Sequence, residues 1–192
     1  YLPMSRSIYH YARGLACAAT GRVEEAEAER RLFRAAVREV PETSMLFQNS
    51  SRSMLDVASA MLDGEISYRQ GDLDLAFEEL RTAVRLDDNL NYDEPWGWMQ
   101  PARHALGALL LEQSRLNEAE EVYRADLIRH PKNLWALHGL EESLRRQGQR
   151  DEAEQIAEQF AAASARADIR VDRSCFCRIK TDDSDCGDCC NR

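Results

Sequence analysis

The stretch ARHALGALLLEQSRLNEAEEVYRADLIRHPKN, residues 102–133, decides the fold, because it holds two apolar patterns separated by a short polar turn. Leucines and alanines recur three or four residues apart on both sides of Ser114, which is the spacing of an amphipathic α-helix. The stretch is therefore predicted to form a helix, a tight turn and a second helix.

The same arrangement recurs along the chain. Four segments align without gaps: TGRVEEAEAER from Thr20, QGDLDLAFEEL from Gln70, QSRLNEAEEVY from Gln113 and QGQRDEAEQIA from Gln147. In each segment the second position is a turn residue, and an alanine follows five positions later; the turn residues are Gly21, Gly71, Ser114 and Gly148. The sequence thus predicts four helix–turn–helix units.

Three of the units carry a glycine seven residues before the turn, inside the first predicted helix: Gly14, Gly64 and Gly107. A glycine within a helix costs about 0.5–1 kcal/mol relative to alanine. We expect these glycines to let two helix backbones approach closely, with the alanines of the second helices as the opposing surface.

The pattern resembles the tetratricopeptide repeat over residues 4–166, with repeats near 4–38, 53–88, 99–131 and 133–166. The third unit carries the signature residues of that family at Leu106, Gly107, Ala119, Tyr123 and Pro131. The resemblance implies an all-α fold, a right-handed α–α superhelical solenoid of about four repeats. The stretch YDEPWGWMQPARHALGALLLEQ is also similar to the C-terminal region of a group of mostly bacterial tetratricopeptide proteins. That similarity implies further repeats upstream of residue 1.

The resemblance also implies a concave face that is lined by the first helices and binds a protein or peptide partner. The candidate partner-binding residues on that face are Tyr11, Glu65, Tyr68, Arg69, His104, Trp135, His138, Glu142 and Arg145. His104 and His138 are 34 residues apart and are expected to be neighbours. Two alternatives remain open, an ordinary solvated face and a metal site built from the two histidines and a carboxylate.

Residues 167–192 form a cysteine-rich tail with five thiols, Cys175, Cys177, Cys186, Cys189 and Cys190. The tail has too few large apolar residues to offset its ordering entropy by burial, so its thiols are expected to hold it. Disulfides, a zinc ion on the tail cysteines and free thiols are three alternatives. Disulfides would indicate an extracellular or periplasmic protein, and otherwise the chain is expected to be cytoplasmic.

Two insertions separate the first three units. Pro41, Pro95 and Pro101 exclude continuous helices there. The second insertion contains Tyr92, Trp96 and Trp98, which are expected to cover the core or to form the lip of a ligand groove. In the first, Asn49 matches the pattern of a glycosylation acceptor.

The composition limits the function. The net charge of −9 argues against a nucleic-acid partner, and no apolar run reaches the roughly 20 residues of a membrane span. No hydrolase or phosphate-binding motif is present in the sequence, so we expect neither an enzyme nor a cofactor other than the alternative zinc.

Two functions therefore remain. The first is a binding scaffold that holds a partner peptide in its concave groove, while the tail caps the last hairpin. The second is a structural subunit that assembles head to tail with copies of itself into an extracellular filament. An odd tail thiol would staple neighbouring subunits in that filament, because Cys17 is expected to be buried in the core.

Overall fold

The computed structural model describes residues 2–94, 96–99 and 101–178, and most of this part of the chain is helical. Its eight helices are α1 Pro3–Ala19, α2 Val23–Arg38, α3 Ser51–Gln70, α4 Leu73–Asp88, α5 Ala102–Glu112, α6 Leu116–Arg129, α7 Leu134–Arg146 and α8 Arg150–Ser164. Two short strands, β1 Met45–Leu46 and β2 Asn49–Ser50, form an antiparallel hairpin in the first insertion. The all-α class is confirmed.

Consecutive helices pack as four pairs, α1 with α2, α3 with α4, α5 with α6 and α7 with α8. Neighbouring pairs are joined by contacts of α3 with α1 and α2, of α5 with α4, and of α7 with α5 and α6. The helical part is therefore repeat-like, with each pair burying its apolar stripe against the next pair.

The turn within each pair lies where the sequence predicts it. Gly21, Gly71 and Gly148 have φ angles of 76°, 86° and 81°, and Ser114 has 59°. Glycine adopts this left-handed conformation without a steric penalty. Ser114 is the non-glycine member of the set, and its side chain accepts a hydrogen bond from Arg146 Nη2 at 2.9 Å.

The helix glycines do permit close packing, but the predicted opposing surface is mainly wrong. A Cβ atom on Gly14 would lie 2.9 Å from Leu62 Cδ1, one on Gly64 2.8 Å from Leu80 Cγ, and one on Gly107 2.6 Å from Tyr123 Cζ. Large side chains, rather than alanines, fill the space that each glycine leaves. Gly139 on α7 faces the same tyrosine ring, which is therefore held between two glycines.

The two insertions pack against each other through Asn49. Its Nδ2 donates to the carbonyl oxygen of Asn91 at 3.0 Å, and its Oδ1 accepts from the amide of Asn91 at 2.7 Å. Asn49 is 2% exposed. The glycosylation interpretation is therefore corrected, because a glycan needs this same nitrogen at the surface.

Trp98 of the second insertion is buried against α1 and α3. Its ring meets that of Tyr11 edge to face at 5.4 Å, and its Nε1 donates to Met61 Sδ at 3.1 Å. Trp98 thus covers the core, as the first of the two alternatives predicts. Among the helices of the described residues, none has both the length and the apolar character that crossing a bilayer requires.

Candidate functional site

Residues 174–178, here called the C-terminal segment, lie against three helices, α3, α6 and α7. The segment contacts Arg69 on α3, Tyr123 on α6 and Glu142 on α7, and we call these three residues the tail-contact surface. A backbone hydrogen bond of 3.3 Å from Arg178 N to Cys175 O closes a turn in the segment. Residues 169–172, which precede the segment, line a cavity together with His138, Phe160 and Ser164 of the last helix pair. The capping of the last hairpin by the tail stays a prediction, because residues 179–192 lie outside the described part of the chain.

The first contact is a buried pair of hydroxyl groups. The Tyr123 hydroxyl donates to Ser174 Oγ at 2.6 Å, and both residues are fully buried. Burial raises the pKa of Tyr123, although the hydrogen bond to Ser174 opposes the shift. Since Gly107 and Gly139 hold the ring on both sides, the hydroxyl has a fixed position.

The second contact binds the main chain of the segment. Arg69 Nη2 donates to the carbonyl oxygen of Cys177 at 2.6 Å, and Arg69 Nε donates to Glu65 Oε1 at 2.8 Å. Burial raises the pKa of Glu65, while the charge of Arg69 opposes that shift. The carboxylate orients the guanidinium and compensates its charge, so Arg69 is suited to a neutral carbonyl group.

The third contact is an ion pair. Arg178 Nη1 lies 2.6 Å from Glu142 Oε2, and Arg146 Nη1 lies 3.2 Å from Glu142 Oε1. Burial alone would raise the pKa of Glu142, but its hydrogen bonds with Arg178 and Arg146 lower it overall. The surface therefore presents an ionised carboxylate to a cationic side chain.

Open space continues on both sides of the segment. A cavity of about 540 Å³ toward α1 is lined by Leu15, Ala16, Met61, Cys175 and Cys177, among others. A second cavity of about 710 Å³ lies toward the second insertion, between Trp96, Trp135 and Phe176. Phe176 is 73% exposed and, like Met99, lines both cavities.

The wall of the second cavity combines aromatic rings with a buried polar network. Trp96 packs on His130 at 4.0 Å, and Trp135 stacks on His104 at 6.2 Å. Asn133 Nδ2 donates to Asp126 Oδ2 at 2.8 Å and lies 2.7 Å from His104 Nε2. This network joins α5, α6 and the start of α7, and it accounts for the burial of His104.

The predicted partner-binding residues fall into two groups. Tyr11, Glu65, Tyr68 and His104 are buried, with exposures of 7%, 2%, 6% and 3%. The sequence predicts that these four side chains face a partner on an open surface. They are buried instead, so they can only support the residues that a partner would contact. Tyr68, for example, donates to Glu112 Oε1 at 2.8 Å and accepts from Gln113 Nε2 at 2.7 Å. Burial raises the pKa of Tyr68 to about 12.

The other predicted residues are accessible to different extents. Arg69 and Glu142 contact the C-terminal segment, and Trp135 is half-buried in the wall of the second cavity. His138 packs on Phe160, and Arg145 pairs with Glu141 on its own helix. His104 and His138 therefore pack on different aromatic residues, Trp135 and Phe160 respectively.

The tail thiols are described only in part. The sulfur atoms of Cys175 and Cys177 are in contact, with their Cα atoms 5.3 Å apart, which is compatible with a disulfide. Cys17 is a free thiol in the core, as predicted. The remaining candidates, Cys186, Cys189 and Cys190, lie outside the described residues, so the zinc and interchain alternatives stay predictions. Within the described ranges no three His, Cys, Asp or Glu side chains are grouped as metal ligands.

A scan against protein-family models found no match, and a search of curated proteins found no significant similarity.

Sequence reasoning missed Tyr123 as a site residue and missed Ser174, Phe176 and Arg178 altogether. One signal for Tyr123 was available in the sequence, namely the two helix glycines Gly107 and Gly139. A tyrosine ring that fits between them has its hydroxyl group held in place. The segment carries no periodic pattern and no motif that indicates a docking position.

Proposed function

We propose that the chain is a non-catalytic scaffold of the tetratricopeptide type, a right-handed α–α superhelix that binds a protein segment. In this proposal the tail-contact surface belongs to the concave side, and the partner lies where the C-terminal segment lies. The contact of the sulfur atoms of Cys175 and Cys177 is compatible with the export of such a scaffold.

The observation that supports the proposal is the mode in which residues 174–178 are held. Arg69 binds a main-chain carbonyl group, which every peptide offers, while Tyr123 and Glu142 bind side chains. Main-chain contacts give affinity for any segment of suitable shape, and side-chain contacts add selectivity. The 540 Å³ cavity beside the segment extends the binding surface toward α1.

The test needs the surface to be free of its own segment. We expect the full-length double variant Ser174→Glu, Arg178→Glu to release it, because one change puts a charge into a buried site and the other opposes Glu142. A random peptide library is then selected against this released variant. Enriched peptides are expected to bind with micromolar dissociation constants in fluorescence anisotropy.

Two further substitutions locate the binding. In the released variant, Arg69→Glu is expected to abolish peptide binding, because a carboxylate repels the peptide carbonyl group. Arg31→Glu is the matched control, since Arg31 is an exposed arginine on α2 and does not belong to the tail-contact surface. The proposal is wrong if no peptide is enriched, or if binding is insensitive to Arg69→Glu.

A further inference from the structure

The C-terminal segment shows which side chains the tail-contact surface can select, and the inference drawn from it rests on the proposed function. The Ser174 position is closed to large groups, because Ser174 is fully buried and its Oγ lies 2.6 Å from the Tyr123 hydroxyl. A small side chain that can accept a hydrogen bond fits this position. An apolar side chain would leave the buried tyrosine hydroxyl without its partner, which costs binding free energy.

The Arg178 position selects for charge. Glu142 is ionised, half-buried and 2.6 Å from Arg178 Nη1, so a cation at this place gains a charge-assisted hydrogen bond. An acidic side chain here would meet a carboxylate of the same sign. The protein as a whole carries a net charge of −9, which also favours the approach of a cationic segment.

The turn between Cys175 and Arg178 sets the spacing of these two positions. Its backbone hydrogen bond of 3.3 Å brings Arg178 over α7 while Ser174 remains at Tyr123 on α6. Between them, Phe176 is 73% exposed and adds little selectivity. The tail-contact surface therefore binds a hydroxyl group and a cation that are four residues apart in the segment. The position between them at Phe176 is free to vary.

We propose that the tail-contact surface recognises a turn-forming partner segment of the pattern Ser/Thr-x-x-x-Arg/Lys. The chain's own residues 174–178 occupy the surface as a competitor in cis. A competitor on the same chain has a high effective concentration, so a partner in trans binds the intact chain more weakly than a chain whose segment is displaced.

The probe is a fluorescein-labelled peptide with the sequence of residues 171–178, in which both cysteines are replaced by alanine, VDRSAFAR. Its affinity is measured by fluorescence anisotropy for the full-length wild-type chain and for the released variant Ser174→Glu, Arg178→Glu. Binding to the released variant is expected to be at least about tenfold tighter than to the wild type. The full-length single variant Arg178→Glu is a second released form in case the double variant fails to fold, which circular dichroism checks.

Peptide variants test the pattern. Replacing the serine by glutamate, or the last arginine by glutamate, is expected to weaken binding at least about tenfold, because one change puts a charge into the buried site and the other opposes Glu142. Replacing the phenylalanine by alanine is expected to change the affinity less than about threefold, since that ring is largely exposed. Adding Glu142→Lys to the full-length single variant Ser174→Glu, whose own Arg178 then faces a lysine, is expected to restore the affinity of the peptide that ends in glutamate.

The outcomes separate the two proposals. If all of these peptides bind the released variant equally well, or if the one ending in glutamate binds best, the proposed pattern is wrong and the scaffold proposal stands. If VDRSAFAR binds both forms equally, the competition in cis is wrong. If the released variant binds VDRSAFAR no better than a scrambled peptide, while library peptides bind at Arg69, the proposed pattern is wrong and the scaffold proposal stands. Failure of every peptide, library included, overturns both.

Discussion

At the scale of single residues, Tyr123 connects the packing of the helices with the tail-contact surface. Its ring occupies the space beside Gly107 and Gly139, and its hydroxyl extends to Ser174. Each glycine costs its helix about 0.5–1 kcal/mol in propensity, and the close packing of a large buried ring offsets that cost. The position of the hydroxyl is thus a consequence of core packing.

This relation predicts a change of sign in a double-mutant cycle. Gly139→Ala is expected to destabilise the wild type by about 1–3 kcal/mol, because the new methyl group overlaps the Tyr123 ring. In a Tyr123→Ala background the same substitution is expected to stabilise the protein by about 0.5–1 kcal/mol, since only helix propensity remains. Urea unfolding measures both differences, and a destabilisation of equal size in both backgrounds would contradict the packing account.

Glu142 and Glu65 have pKa values shifted in opposite directions, and this predicts how the segment responds to acid. The pKa of Glu142 is lowered from 4.5, so its stabilising contribution is present above that value and is lost as the pH falls through the lowered pKa. The pKa of Glu65 is raised from the same value, so Glu65 is protonated first. Since Arg69 binds the carbonyl of Cys177 rather than relying on a carboxylate of the segment, protonation of Glu65 alone should not release it.

We therefore expect the C-terminal segment to stay bound at pH 5 and to be released below pH 4.5. Two-dimensional NMR spectra of residues 174–178 between pH 6 and pH 3 measure the transition. Glu142→Gln is expected to abolish this pH dependence, and Arg145→Glu is expected to leave it unchanged. If the segment of Glu142→Gln is still released between pH 6 and pH 3 in a pH-dependent transition, a group other than Glu142 causes the release.

At the scale of elements, the four turns have the same geometry with one chemical exception. Gly21, Gly71 and Gly148 take positive φ freely, whereas a non-glycine residue in this conformation costs about 1–2 kcal/mol. Ser114 recovers part of that cost through its hydrogen bond with Arg146. Ser114→Gly is expected to raise the free energy of unfolding by about 0.5 kcal/mol. Ser114→Ala removes the hydrogen bond without relieving the backbone and is expected to lower it; thermal and urea unfolding compare the two.

The sequence was sufficient for the turns and helix pairs because their causes are local. A positive φ requires a residue such as Gly71, and the apolar spacing around it defines the flanking helices. The burial of Glu65 and Tyr68 was not predictable in this way, because it depends on elements far away in the chain. Ser174 shows the difficulty best, since a small polar residue in a tail without periodicity gives no sign that it lies in a buried site.

At the scale of the whole molecule, the C-terminal segment and the two insertions add long-range contacts to a chain of neighbouring helix pairs. In a repeat array each pair contacts mainly its neighbours. Here the hydrogen bond from Arg69 to Cys177 spans 108 residues, and the segment joins the second, third and fourth pairs. The two insertions are joined in the same way by Asn49 and Asn91. The contacts of the segment therefore link three of the four helix pairs at the tail-contact surface.

The tie between the insertions leads to a prediction for Asn49. Asn49→Ala removes two hydrogen bonds to the main chain of Asn91, each worth about 0.5–1.5 kcal/mol, because Asn91 is exposed and water can replace the lost partner. Hydrogen exchange is expected to rise together in residues 44–50 and in residues 89–94, because each insertion supports the other. Gln48→Ala is the matched control, since Gln48 contributes only main-chain atoms, its amide donating to Asp93 Oδ2 and its carbonyl accepting from Asn91 Nδ2. If exchange rises in residues 44–50 alone, the second insertion is held by the packing of Trp98 instead, and the coupling does not extend between the insertions.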